Sequence, residues 1–138
     1  KEAELSEIKL ESYSDYPKGV KSNAKKVLEW TEKNGWGSCG TGVGKQRANQ
    51  LAKGEPISAK TIKRMYSYLS RHLVDLDSSK SYSDGCGKLM FDAWGGKAAL
   101  RWSKSKIEKL GLTAEVEQEM EKETEEELLN KIIEILKD

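Results

Sequence analysis

From Pro17 to Leu110 apolar residues return three and four positions apart, and glycine closes run after run. Val20, Ala24, Val27, Leu28 and Thr31 trace one amphipathic stripe, which Pro17 opens in the first helical turn and Asn34-Gly35 ends. A Gly-rich loop extends to about Gly44. Lys45 to Lys53 then reads as a short helix with Ala48, Leu51 and Ala52 on one face, closed by Gly54. Glu55-Pro56-Ile57 is a turn, and Ser58 caps a helix over about 59–72 with Ile62, Met65, Tyr66 and Leu69 inward. After a polar loop over 73–87, Lys88 to Trp94 forms a short helix broken by Gly95-Gly96. Lys97 to Leu110 follows with Ala98, Ala99, Trp102 and Ile107 as core, and Gly111 ends it. Strand signals are weak: Leu5, Ile8 and Leu10 suit either a short strand or a helical turn. The pattern predicts an all-α fold, a compact bundle of five to six short helices with a long Gly-rich loop and an acidic C-terminal helix.

That C-terminal segment reads in two parts. Thr113 caps a first stretch, mostly acid, in which only Val116 and Met120 are apolar. Thr124 and Glu127 stand at capping-box spacing before a second stretch. There Leu128, Leu129, Ile132, Ile133, Ile135 and Leu136 form a broad apolar face, which must bury against the body or a partner chain. Packing on the chain's own body is the simpler expectation; a homo-oligomer through this helix is the alternative.

The net charge of +1 conceals a segregation. Residues 1–16 carry two Lys against five acids, a net −3; residues 17–110 carry 19 Lys and Arg against eight acids, a net +11; residues 111–138 carry three Lys against ten acids, a net −7. The chain therefore divides into an acidic N-terminal extension (1–11), a basic helical module (12–110) and an acidic amphipathic C-terminal helix (111–138). Such asymmetry points to a polyanionic partner for the body, or to acidic ends folding over it. If the tail covers the body, DNA binding is weak in the intact chain and stronger without the tail. At 138 residues the chain suits one domain that needs no disulfides to hold a core. No apolar run approaches the ~20 residues that span a bilayer. The charged start, KEAELSEIKLES, shows no signal peptide, and a first residue of Lys rather than Met suits a fragment of a longer protein. Two cysteines, Cys39 and Cys86, are too few for a disulfide framework, so reduced thiols in an intracellular setting are the default.

The loop NGWGSCGTGVGKQRAN, residues 34–49, holds five glycines. GWGSCG satisfies G-x-G-x-x-G, but a helix rather than a strand precedes it, so no dinucleotide site follows. Gly44-Lys45 resembles the end of a phosphate loop, yet Cys39 stands where that loop needs Gly and Gln46 where it needs Ser or Thr. Cys39, Cys86 and His72 are the only soft ligands and lack zinc spacing, so neither metal nor cofactor is expected. The loop reads as structural, with Trp36 plugging a core and Cys39 buried as a small apolar group. An enzyme built on Cys39, His72 and an aspartate such as Asp84 or Asp92 would need these side chains to converge in one cleft.

The stretch VGKQRANQLAKGEPISAKTIKRMYSYL has the cadence of the second half of a helix-turn-helix, in which Lys45, Gln46, Arg47 and Asn49 would face a groove. About ten Gly-rich residues stand where three or four belong, so the match over 43–69 is partial. Independently, Lys60, Lys63, Arg64 and Arg71 fall at helical spacing. With Lys45, Arg47, Asn49 and Lys53 they make one candidate patch for nucleic acid or an acidic partner. Tyr66, Tyr68 and Trp36 would stack bases if they stood exposed on it.

SDYP at 14–17, NGWGSCGTGVGKQRANQLA at 34–52, EPIS at 55–58, SYLSRH at 67–72, DGCGKLMFDAWGG at 84–96 and ALRW at 99–102 together resemble a small helical module of tailed-phage and prophage head proteins. That module stands beside or fused to portal, minor-head or prohead-protease regions. The resemblance covers roughly residues 12–110 and brings no catalytic residues with it. It implies a non-enzymatic module that contacts phage structural proteins or DNA during assembly or packaging, in the bacterial cytoplasm or on the virion. A helix-turn-helix-like DNA binder and a self-associating adaptor are the rival readings.

Overall fold

In the computed structural model, residues 11–39, 42–73, 76, 81–84 and 86–137 are described, without the side chain of Asp84. The ambiguous Leu5, Ile8 and Leu10 lie outside them. Strand β1 (Ser12–Tyr13) comes first, then α1 (Lys18–Asn34), a 3-10 turn (Gly37–Cys39), α2 (Gly42–Lys53), β2 (Ile57–Ser58) and α3 (Ala59–Leu73). A second 3-10 turn (Tyr82–Asp84) precedes α4 (Cys86–Ala93), α5 (Gly96–Lys109) and α6 (Thr113–Lys137). The all-α expectation is met. Among the described residues the additions are the two 3-10 turns and a two-residue antiparallel ladder, Ser12 opposite Ser58 and Tyr13 opposite Ile57, which takes in the end of the expected Glu55-Pro56-Ile57 turn.

Pro17 is the N-cap of α1 rather than a first-turn residue, and Gly35, at φ +75°, closes the helix by donating its N–H to the Thr31 carbonyl at 2.7 Å. Ser58 caps α3 as its position predicts: its Oγ accepts the Thr61 N–H at 3.2 Å. Helix α2 begins at Gly42, inside the expected loop, and α4 begins at Cys86, two residues early.

Helix α1 packs on α2, and α3 packs on α5. The main core joins Val20, Leu51, Ile62, Met65, Leu69, Phe91 and Ile107. A second cluster gathers Val27, Ala48, Leu89 and Ala93, with Trp30, Trp36 and Tyr82 half-buried at its edge. The elbow between α4 and α5 holds the two layers together. Gly95 sits at φ +101°, and a Cβ there would stand 2.5 Å from that of Ala99 and 2.9 Å from Val20 Cγ1. Only glycine combines that dihedral with that approach. The Gly95 carbonyl accepts a hydrogen bond from Asn23 Nδ2 at 2.8 Å, tying α1 to the elbow.

Two expectations are corrected. Cys39 and Cys86 are a disulfide, with Cα atoms 5.1 Å apart, rather than reduced thiols, and Cys39 is half-buried rather than a buried apolar plug. The bond fastens the 3-10 turn after α1 to the first residue of α4, which the spacing of two cysteines 47 positions apart does not announce. The C-terminal segment is also one helix, not two. Nothing from 113 to 137 breaks it, and Thr124 bonds back to the Met120 carbonyl at 3.0 Å instead of capping a second start.

The apolar face of α6 is not buried on the body. Val116 is buried and Met120 half-buried against the core, but Leu128, Leu129, Ile132, Ile133, Ile135 and Leu136 are 42–78% exposed. At 100° per residue their mean direction lies about half a turn away from the side of α6 that meets α3. A straight helix cannot present both faces to one body.

Candidate polyanion-docking surface

The eight polar residues expected to form one patch separate into three groups. Lys45, Asn49, Lys53, Lys60 and Arg64 keep access to solvent. Lys45 is half-buried with its ammonium 5.8 Å from the Trp36 ring centroid, and Asn49 is exposed although its amide donates to the Lys45 carbonyl at 2.9 Å. Lys53, Lys60 and Arg64 are exposed. Lys53 stands at the end of α2 and Lys60 in the first turn of α3, on either side of the Gly54–Ser58 connection.

Lys63 and Arg71 are occupied. Helix α6 runs alongside α3 with a glutamate every fourth residue. Lys63 Nζ meets Glu115 at 2.6 Å and Glu119 at 3.2 Å; Ser67 Oγ donates to Glu123 at 3.0 Å; Arg71 Nη1 meets Glu127 at 2.7 Å and Glu123 at 3.6 Å. The ladder advances eight residues on each helix between Lys63 and Arg71, so the two run parallel. Burial pulls the Lys63 ammonium down, but hydrogen bonds and charge from Glu115 and Glu119 outweigh it and hold the group above the ordinary lysine value. The acidic tail therefore lies over part of the basic body, the arrangement that charge segregation left open. The cleft along this seam, about 520 Å³, is lined by Lys60, Lys63, Arg64 and Lys122 as well as by glutamates.

Arg47 forms the third group. The helix-turn-helix reading needs it exposed, and it is 7% exposed. Its guanidinium lies 5.2 Å from the Trp94 ring centroid and donates through Nη1 to Gln50 Oε1, while Nε has no hydrogen-bond partner. Among the described residues no carboxylate meets it. Burial first, and then the charge of Arg64, push its pKa below the ordinary arginine value. Trp94, which is buried, stacks on the half-buried Tyr68 at 5.0 Å, and the exposed His72 leans on Tyr68 at a tilt at 4.3 Å, so Tyr68 is engaged on the body rather than presented as a free platform for bases.

Of the residues of the enzyme reading, the Asp84 side chain lies outside those described, and the others have partners elsewhere. Cys39 is bonded to Cys86, His72 rests against Tyr68, and Asp92 accepts the Tyr82 hydroxyl at 2.6 Å. Burial, and then that hydrogen bond, raise the Tyr82 pKa. With its thiol oxidised, Cys39 has no nucleophile to offer. A second open cleft, also about 520 Å³, lies beside this pair, with Lys26, Lys33 and Lys88 around Trp30.

No family model, curated protein or solved structure matches this chain. Among the described residues, no helix is long and apolar enough to cross a membrane.

Proposed function

We propose that this chain is a non-enzymatic docking module of a tailed-phage or prophage head, whose α2–α3 surface meets a polyanion, and that DNA is the polyanion. The observation that carries the reading is Arg47, a residue only 7% exposed whose guanidinium meets no carboxylate among the described residues and lies close enough to the exposed Arg64 to feel its charge. An unpaired buried charge is costly, and a fold that keeps one gains from an anion brought by a partner. Lys53, Lys60 and Arg64 are exposed on the same two helices, and the body's net +11 supplies the long-range attraction. The glutamates of α6 act as an internal competitor that holds Lys63 and Arg71 out of the surface. The Cys39–Cys86 bond favours the virion over the host cytoplasm as the working location, because disulfides persist where surroundings oxidise.

The test is binding of the full chain to duplex DNA across a salt series. Contacts from Lys45, Lys53, Lys60 and Arg64 give a slope of log affinity against log salt of about −3.6, at about −0.9 per phosphate. Lys60→Glu with Arg64→Glu removes most of it. No binding at low salt rejects DNA and leaves an acidic head protein as the partner for the same cations, whereas binding that ignores this pair of substitutions rejects the α2–α3 surface as the place where DNA docks.

A further inference from the structure

The six exposed aliphatic residues of α6 offer on the order of 600 Å² of apolar surface, the upper end of what a monomer ordinarily shows. Their direction on the helix excludes the chain's own body as the cover. A lipid surface is disfavoured by charge: residues 125–138 carry five acids against two lysines, whereas helices that lie on anionic membranes are rich in Lys and Arg.

The pattern itself names an occupant. Reflected about Ile132, as in an antiparallel pairing around a two-fold axis, Leu128 falls opposite Leu136, Leu129 opposite Ile135, and Ile132 opposite itself. Only Lys131 against Ile133 breaks the match, and the stem of a lysine can lie along an isoleucine with its ammonium in water. A self-complementary face is what an isologous two-fold interface requires. Parallel pairing would instead bring the acidic runs Glu125–Glu127 of two chains together.

We infer that the apolar face of α6 over residues 128–136 is an antiparallel interface between two copies of this chain, centred on Ile132. Two such faces bury about 1,200 Å², near the lower end for specific association, so pairing is concentration-dependent rather than permanent. The arrangement places two basic bodies at opposite ends of one helical joint. A polyanion long enough to reach both is held by two sites at once, with the gain that multivalency brings.

Sedimentation velocity of the full chain tests this from about 5 to about 300 µM, the range in which an interface of this size assembles. The mass doubles with concentration. Ile132→Asp, which sets two carboxylates against each other at the axis, abolishes the doubling and leaves tryptophan fluorescence unchanged, since the position touches no core. Leu129→Ala removes the contact with Ile135 on both sides of the axis and weakens pairing several-fold. A monomer at every concentration, or a dimer unaffected by either substitution, overturns the inference.

Discussion

Lys63 and its two glutamates make an asymmetric pair whose halves respond differently to removal. The Lys63 side chain is 8% exposed, while those of Glu115 and Glu119 are 33% and 52% exposed. Replacing Glu115 and Glu119 with Gln leaves an ammonium in the α3–α6 seam with only weak amide acceptors. A fully buried orphan charge costs about 3–5 kcal/mol; solvent beside the two glutamates reduces this to about 2 kcal/mol here. Lys63→Met removes the charge and keeps the methylene stem, and the carboxylates it abandons turn to water, so the loss is about 1 kcal/mol or less. Urea unfolding followed by tryptophan fluorescence separates the two variants. The pH dependence sharpens the test. Because the folded lysine titrates above its ordinary value near ~10.4, its stabilisation is complete below that pH and fades as pH rises through the folded value. The wild type loses this increment at alkaline pH, and Lys63→Met has none to lose. If Lys63→Met is as destabilised as the double Gln variant, or keeps the alkaline loss, the seam is not organised around a buried ammonium.

Three further outcomes follow from packing. Gly95→Ala forces a left-handed dihedral and a Cβ into Ala99 and Val20, and thermal unfolding registers about 3 kcal/mol of destabilisation. Reducing the Cys39–Cys86 bond, which closes a separation of 47 residues, lowers stability by up to about 4 kcal/mol in chain-entropy terms, and denaturation with and without reductant reads it. Arg47→Met keeps the stem on Trp94 and removes the unpartnered charge, so the variant is at least as stable as the wild type in urea while its DNA affinity falls.

Much of the fold is legible in the chain because glycine marks it. Gly35, Gly54 and Gly111 each adopt the positive φ that ends a helix, and the inward residues of α3 follow from spacing alone. What escapes sequence reading depends on the third dimension. The disulfide joins segments that only the packing of α4 beside the 3-10 turn brings together. Arg47 had a signal: with Gly44, Ala48 and Leu51 it occupies the inner stripe of α2, and residue type outweighed position in the expectation that it is exposed. Glutamates at 115, 119, 123 and 127, four apart, match Lys63, Ser67 and Arg71, four apart. That register is visible in the chain once α3 and α6 are known to be neighbours. The continuity of α6 was hidden by Thr124, whose hydroxyl serves a cap or a back-bond equally well.

If the glutamates of α6 withhold cations from a polyanion-binding surface, the salt dependence of DNA binding in Glu123→Gln plus Glu127→Gln reveals it. These substitutions free Arg71 and leave the Lys63 pair intact. Tighter binding at low salt with a slope steeper by about 0.9, one additional phosphate, is the predicted result. Affinity and slope identical to those of the wild type would contradict it.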